Sequence, residues 1–303
     1  MRLFDGKKFA DKILGEIKEK IKKEGLKAKL VVFLIGEDEA SKIYIRLKKE
    51  AAIMVGIGFE LYNYDRGAAE QEIIEKIMDL NKDKNISGII VQLPLPDSFS
   101  KNKIISAINP RKDVDGFHKE NQQLFEKGKK RFEPVLPGAI LLAIKNAENG
   151  KLHGKKAVAL VNSDIFGQAL KLVLEKEGIN FQYKLKKTCL IFGADDDLKK
   201  ADIIITACGC PGLVRGEMIK PGAILIDAGI FRAKDGKVVG DIDRKNVENI
   251  ASFLTPVPGG IGPLVIALLL QNVYYSNLNT PPVNVGMKIF SPAGRNDRRR
   301  RAE

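Results

Sequence analysis

The sequence predicts an α/β protein built of two consecutive units, each a parallel sheet covered by helices. Three observations carry this expectation. Short apolar runs alternate with helical stretches from residue 30 to residue 108. The alternation restarts at residue 157, after one long helix. The chain has 303 residues, enough for two medium domains with cores of their own. Unbroken apolar runs of strand length suit sheets buried on both faces, as parallel sheets are.

In the first unit, Phe9, Ile13, Leu14, Ile17 and Ile21 recur at helical spacing with charges between them. Residues 30–35 form a compact apolar run that ends at Gly36 and read as a buried strand. Ser41 is the expected N-cap of a helix running to Val55. A strand is expected over 59–64, a helix over 70–81, a third strand over 86–93 and a short helix over 103–108. A long helix follows Pro134, spanning 135–149.

The second unit then opens with a strand over 157–161 and a helix over 167–177. Further strands are expected over 187–192, 202–207 and 223–227, and a last helix over 262–275. The boundary falls near residue 140. From residue 279 the character changes: Thr280-Pro281-Pro282 breaks the helix, and the Gly-, Pro- and Arg-rich end reads as a disordered basic tail over 279–303. An arm that binds nucleic acid through Arg298, Arg299, Arg300 and Arg301 is the sharper alternative.

The net charge of +13 raises nucleic acid as a partner, but the lysines are spread over helical surfaces such as 16–23 and form no single stripe. Trp is absent and aromatics make up 7%, a poor supply for base stacking. A solvated lysine-rich surface, or attraction of an anionic substrate, accounts for the charge, and nucleic acid is not expected as a partner. Met1-Arg2-Leu3-Phe4 leads directly into polar residues, so no signal peptide is expected. No apolar run approaches the ~20 residues of a membrane span. The three cysteines Cys189, Cys208 and Cys210 suggest no disulfide framework, and therefore a reducing, cytoplasmic setting with the cysteines as small packed residues. With two histidines far apart, they make a poor zinc set, and no metal is expected.

Four constellations could carry chemistry. Tyr44 and Lys48 lie one helical turn apart, so phenol and ammonium can converge. A lysine beside an apolar pocket has its pKa lowered toward neutrality, where it moves protons usefully; an exposed surface pair is the plainer alternative. Val91-Gln92-Leu93-Pro94-Leu95-Pro96 sets a glutamine at the carboxyl end of a strand, where α/β sheets place ligands. An uncharged amide can hold a lysine without forcing it to stay charged, although an ordinary strand exit would look the same. Lys112-Asp113-Val114-Asp115-Gly116 sets two acids in a turn, where capping is the default and a basic heterocycle the sharper partner. Thr255-Pro256-Val257-Pro258-Gly259-Gly260-Ile261-Gly262-Pro263 combines fixed φ angles with glycines that permit close approach, and opens a helix. That much backbone control points to ligand contact.

Taken together and in this order, these motifs resemble the methylenetetrahydrofolate dehydrogenase/cyclohydrolase family. Ser41-Lys42-Ile43-Tyr44, Lys220-Pro221-Gly222-Ala223, Ile226-Asp227 and Gly240-Asp241-Ile242-Asp243 extend the match, which covers roughly residues 1–277. The resemblance implies two α/β domains flanking a cleft, the second a Rossmann-like parallel sheet. The folate domain would be 1–139 with a returning helix at 262–277, and the dinucleotide domain 140–261. It implies Lys48 as the central catalytic group, with Gln92 its partner and Tyr44 lining the folate pocket. Asp115 would hold the pterin edge, and Pro258, Gly259 and Gly260 would border the cleft. The dinucleotide would meet Val161, Asn162, Ser163, Ile230 and Gly262. It further implies tetrahydrofolate derivatives as substrates, NADP or NAD as cofactor, a homodimer, and a place in one-carbon metabolism serving purine biosynthesis.

The departures sit on the cofactor side. Val161-Asn162-Ser163 stands where the family has Gly-Arg-Ser, so Asn162 replaces the arginine that meets the 2′-phosphate of NADP, and an amide cannot replace that charge. The family's Cys-His-Ser segment is replaced near Ile191-Phe192-Gly193. Pro134-Val135-Leu136-Pro137 stands where the family has Pro-Cys-Thr-Pro, and Val265 where it has a threonine after Gly-Pro-Met. Three readings follow: NAD in place of NADP, a cyclohydrolase with a weak dehydrogenase, or a noncatalytic relative with an eroded dinucleotide site. A short-chain dehydrogenase also uses Tyr-x-x-x-Lys, but there the pair follows the dinucleotide fold, whereas Tyr44 and Lys48 precede it.

Overall fold

The structure, a computed structural model, describes residues 1–129, 131–186, 189, 195–233 and 235–278. The basic tail expected over 279–303 lies outside the described residues.

The chain starts with a two-residue strand, β1 (Arg2–Leu3), and a long helix, α1 (Gly6–Glu24). The first sheet is formed by β2 (Lys29–Ile35), β3 (Gly58–Tyr64) and β4 (Gly88–Val91). They are separated by α2 (Glu39–Val55) and α3 (Glu70–Lys82), and followed by α4 (Lys101–Ser106) and α5 (Lys119–Glu126). Its strands run parallel in the order β3-β2-β4. The order reverses between β2 and β4, and such a reversal opens a crevice at the carboxyl ends of the two strands. β2 is buried almost throughout, as its unbroken apolar sequence requires.

Helix α6 (Val135–Glu148) leads to the second sheet, made with β5 (Lys156–Val161), α7 (Asp164–Glu175), β6 (Asn180–Leu185), α8 (Asp196–Lys200), β7 (Ile203–Ala207) and β8 (Ile224–Asp227). A hairpin, β9 (Phe231–Arg232) and β10 (Val238–Val239), is followed by α9 (Arg244–Val247), β11 (Phe253–Leu254) and α10 (Ile261–Asn277). The six strands run parallel in the order β1-β11-β8-β7-β5-β6. Here the reversal lies between β5 and β7.

Two elements tie the sheets together. β1 pairs with β11, so the first residues of the chain belong to the second sheet. α10 returns from the second sheet to pack on α1, α6 and α2. It is apolar nearly all round and mostly buried. One core runs through both sheets by way of α6 and α10, joining Leu30 and Val32 to Ala157, Ile203 and Leu269.

Three expectations need correction. The N-cap of α2 is Asp38, whose carboxylate accepts the N–H of Ser41 at 2.7 Å, so Ser41 lies within the first turn. The strand expected over 187–192, most of which lies outside the described residues, is preceded by the actual one at Asn180–Leu185. β6 is an edge strand with an open face, and its polar residues hide the apolar pattern. Finally, two of the three cysteines form a disulfide, Cys189–Cys210. They lie 21 residues apart in sequence, but the parallel crossover returns both to the same edge of the sheet.

Candidate active site

The first sheet builds a lysine centre. In α2 the buried positions are Ser41, Ile45, Lys48, Ala52 and Val55, a single stripe at helical spacing. Lys48 therefore points inward among apolar residues and is only 5% exposed, which rejects the surface-pair reading. Its Nζ donates to Gln92 Oε1 at 2.9 Å. Gln92 follows β4, and its Nε2 donates to the carbonyl of Leu93 at 2.8 Å, which turns the amide oxygen toward the lysine. The Leu93-Pro94 peptide bond is cis. Nζ also lies 4.9 Å from the centre of the Tyr44 ring, within cation–π range.

Tyr44 connects this centre to the glycine-proline stretch. Its hydroxyl donates to the carbonyl of Gly262 at 3.1 Å. Pro258 is exposed, Gly259 partly so, and Gly260 is buried. Gly259 has φ 100°, and the Val257-Pro258 bond is cis. Gly260 N-caps α10 without a side chain, so among the described residues no capping side chain takes its first N–H groups, the kind of helix start that can accept a ligand oxygen.

The two acids of the 113–115 turn take different parts. Asp113 is buried and accepts the N–H groups of Phe117 and His118 and the amide of Asn121, at 3.3, 2.8 and 2.8 Å. It braces the turn that leads into α5, whose N-cap is His118. Among the described residues, no side chain hydrogen-bonds the carboxylate of Asp115. Burial drives the Asp115 carboxyl up to about 6, against the opposing pull of Lys48 and with the help of Asp113. Burial likewise pushes the Lys48 ammonium down to about 8, partly opposed by Asp115. The Tyr44 phenol is raised, chiefly by burial and then by Asp115. At neutral pH the centre thus holds a lysine that gives and takes a proton easily, a carboxylate able to pair with a cationic or N–H-bearing ring edge, and a phenol that keeps its proton.

The second sheet supplies a different set. Val161 ends β5 at the reversal point, and Asn162 and Ser163 follow it. Val161 is fully buried, so only its backbone is available to a ligand. Ser163 caps α7 by accepting the N–H of Phe166 at 3.5 Å. Exposed Asn162 donates through Nδ2 to the carbonyl of Cys208 at 3.4 Å, joining this loop to the turn after β7. Ile230 is exposed, and its carbonyl lies against Gly209 of the same turn. Gly262 sits with Tyr44 instead, at the start of α10. A Cβ on Gly167 would lie 2.5 Å from the Tyr183 ring, so Gly167 lets α7 press onto β6. This is the packing role of the third glycine in dinucleotide fingerprints, present here without the first two. A capped helix N-terminus at the reversal of a parallel sheet fits the phosphates of a dinucleotide.

One network carried no assigned role at the level of sequence. Asp227 and Asp241 are both buried. Asp241 accepts the N–H groups of Cys208 and Cys210 at 2.7 and 2.6 Å. Asp227 accepts those of Gly229, Asp241 and Ile242 at 3.1, 3.1 and 2.9 Å. Thr255 holds the backbone of Asp227 from the other side. The pair thereby shapes the turn that faces Asn162. The signal in the sequence was a glycine beside each acid, Gly240 before Asp241 and Gly229 two residues after Asp227.

Comparison with known proteins agrees with both halves. The tetrahydrofolate dehydrogenase/cyclohydrolase catalytic domain matches residues 4–115, and the NAD(P)-binding domain of the same enzymes matches residues 134–280. The bifunctional protein FolD of Staphylococcus aureus strain Newman is 40% identical over 276 residues, covering 89% of this chain and 94% of that protein. The Bacillus licheniformis FolD is 39% identical, covering 92% and 98%. Among solved structures, the Campylobacter jejuni FolD methylenetetrahydrofolate dehydrogenase/cyclohydrolase superposes with a TM-score of 0.83 at 38% identity, covering 92% of this chain and 99% of that one. The Trypanosoma brucei enzyme, solved with NADP and an inhibitor, also gives 0.83, at 27% identity and with coverage of 92% and 97%. The lysine centre, the dinucleotide-type sheet and these matches lead to one conclusion: the chain belongs to the tetrahydrofolate dehydrogenase/cyclohydrolase family.

Proposed function

We propose that this protein oxidises 5,10-methylenetetrahydrofolate to 5,10-methenyltetrahydrofolate with NAD(P), and hydrolyses the product to 10-formyltetrahydrofolate. The observation that carries the reading is the buried Lys48, held by Gln92 and driven to a pKa of about 8 beside Tyr44 and Asp115. In the hydrolytic half, water adds to the methenyl carbon and the ring opens. Lys48 Nζ takes a proton during addition and returns one to the departing nitrogen. Gln92 fixes the amine without a charge that would lock it as ammonium. Tyr44, anchored on the Gly262 carbonyl, forms one wall, and the Pro258-Gly259-Gly260 backbone another. Asp115 pairs with the pterin edge and fixes the ring.

Bound NAD(P) supplies the hydride acceptor for the first half. Asn162, Ser163 and the backbone of Val161 would hold it at the start of α7, with Ile230 and the turn after β7 on the facing side. We divide the chain accordingly into a folate part, 1–139 with the returning helix 262–277, and a dinucleotide part, 140–261. The protein would work in the cytoplasm. Among the described residues no helix is long and apolar enough to cross a membrane.

The first experiment follows cofactor reduction by purified protein with methylenetetrahydrofolate, separately with NADP and NAD. Reduction of either is expected. Silence with both, in folded protein that still hydrolyses the methenyl compound, would leave the cyclohydrolase alone. Asp115→Asn should raise the folate KM by about 10- to 100-fold, the worth of one hydrogen bond to a charged group, while leaving dinucleotide affinity unchanged. Steady-state kinetics against folate and against cofactor separates the two. A homodimer fits β6, which among the described residues has no partner strand on its outer edge, and the exposed Ile230 and Phe231 on the second sheet's side. Light scattering at working concentration should give twice the chain mass, and a monomer would refute the dimer.

A further inference from the structure

Helix α10 is apolar nearly all round, yet one of its buried positions is an amide, Asn272, only 3% exposed. Burying an amide is costly unless its hydrogen bonds are made, a cost that an apolar residue would not carry. Here the amide is used. Its Nδ2 donates to two backbone carbonyls, that of Val114 at 2.8 Å and that of Glu133 at 3.0 Å. Both hydrogens of the group are thereby given to carbonyls of other chain segments.

Those two carbonyls flank Asp115. Val114 precedes it in the chain. The segment from Glu133 lies against it, since the N–H of Val135 donates to the Asp115 carbonyl at 3.4 Å. Gly116, with φ 81°, lets the two segments meet, because a Cβ on it would stand 3.1 Å from Cα of Pro134. Asn272 holds both segments to one point on α10.

The side chain of Val114 is held as well. It is fully buried and packs over Gly88 at the start of β4. A Cβ on Gly88 would come within 2.7 Å of Val114 Cγ2 and 3.1 Å of Val273 Cγ2. Consecutive residues of α10 therefore fix the carbonyl and the side chain of the residue before Asp115. On the other side of Val114, Asp113 is tied to the N–H groups of Phe117 and His118 and to Asn121.

This bracing bears on the lysine centre. No side chain among the described residues hydrogen-bonds the Asp115 carboxylate, so its aim is set by the backbone of the turn. Misplacing an orienting group by ~1 Å can slow a reaction about 100-fold. The same helix anchors Tyr44 through the Gly262 carbonyl, about 15 Å away along its axis. α10 thus sets two walls of the centre in register with each other.

We propose that Asn272 is a positioning residue for the folate substrate: by clamping the carbonyls of Val114 and Glu133 to α10, it sets where the Asp115 carboxylate meets the pterin. Asn272 itself touches no substrate. This inference rests on the reading of Asp115 as the acid that holds the pterin.

The test is a double-mutant cycle on the full-length protein, with Asn272→Ala, Asp115→Asn and the two combined. Folate KM is read from hydrolysis of methenyltetrahydrofolate, and NADP and NAD affinities from calorimetry. Asn272→Ala should raise the folate KM about tenfold and leave dinucleotide affinity unchanged. In the Asp115→Asn background it should raise KM by less than about threefold, because the group it positions is gone. Ser276→Ala is the control. It removes another bond from α10 to this part of the chain, Oγ to the Arg111 carbonyl at 2.9 Å, but not one beside Asp115. Its folate KM should equal that of the wild type. Asn272→Ser leaves room for a water to serve the two carbonyls and replaces the alanine variant in the cycle if that one does not fold. An unchanged folate KM in the Asn272 variant, a full tenfold rise in both backgrounds, a parallel loss of dinucleotide affinity, or an equal rise in Ser276→Ala would each overturn the proposal. Asp115→Asn with a wild-type folate KM would instead remove the pterin role of Asp115, and its positioning with it.

Discussion

Lys48→Met is expected to slow hydrolysis of methenyltetrahydrofolate by about 100- to 10,000-fold, the usual worth of a positioned acid–base group. Methionine keeps the length and apolar contacts of the lysine stem on the buried stripe of α2, so the fold should survive. The stability change has a definite pH signature. The lysine titrates at 10.5 when unperturbed and at about 8 in the native protein. Below about 8 both states carry the proton, and the native state bears the full cost of burying it. Between about 8 and 10.5 the native lysine has released its proton while the unfolded one has not. The unfolded state then binds more protons, so wild-type stability rises with pH across that window. Relative to Lys48→Met the rise should total about 3 kcal/mol. Urea unfolding of both proteins at pH 7.5 and 10.5, within about one pH unit of the two limits, measures it. A flat difference would mean that Lys48 is charged in the native state throughout, and its assignment as a proton carrier would fall. In the wild type, hydrolytic kcat/KM should climb toward a plateau above about 8 as Lys48 loses its proton, and fall away below about 6 as Asp115 gains one. Because the two groups interact, these limbs belong to the pair.

Much of this centre could be read from the sequence, for reasons particular to its residues. Ile45, Ala52 and Val55 share one helical face, and Lys48 falls on it; the spacing alone gives an inward lysine once the helix is granted. Gln92 was located by the apolar run before it and the prolines after it. What stayed hidden depends on contacts remote in the chain. Nothing in Arg2 and Leu3 announces a strand, because their pairing with Phe253 and Leu254 is decided by the return of the chain. Asp38 and Ser41 are both capping residue types three positions apart, and the choice between them rests on geometry that composition does not contain. The Cys189–Cys210 bond was missed because cysteine counting looks for frameworks of even number. This bond depends instead on a crossover that carries the chain from one side of β5 to the other. The roles of Asp227 and Asp241 were hidden for the same reason. Each carboxylate serves N–H groups brought to it by a different loop.

That network yields the second large effect, expected from Gly240→Ala. A Cβ at residue 240 would stand 2.1 Å from one carboxylate oxygen of Asp227 and 2.6 Å from its Cγ. Gly240 has no positive φ, so the effect would be one of space and not of backbone strain. The carboxylate cannot yield, because it is buried and bonded to the N–H groups of Gly229, Asp241 and Ile242. Displacing it strands a buried acid from its donors as well as overpacking the site, a cost of about 3 kcal/mol or more. The disturbance continues through Asp241, which follows Gly240 and holds the Cys208 and Cys210 N–H groups. Dinucleotide affinity should therefore fall by about tenfold or more, even under conditions where the variant is fully folded. The Lys48–Gln92 bond lies on the other sheet and should be kept, so hydrolysis by the folded fraction should stay near the wild-type rate. Urea midpoints, calorimetric NAD(P) binding and the hydrolytic assay distinguish these consequences. Loss of stability with dinucleotide affinity unchanged would make the Asp227–Asp241 pair a purely structural brace. Loss of both together would tie it to the cofactor turn, as its hydrogen bonds to Cys208 and Cys210 require.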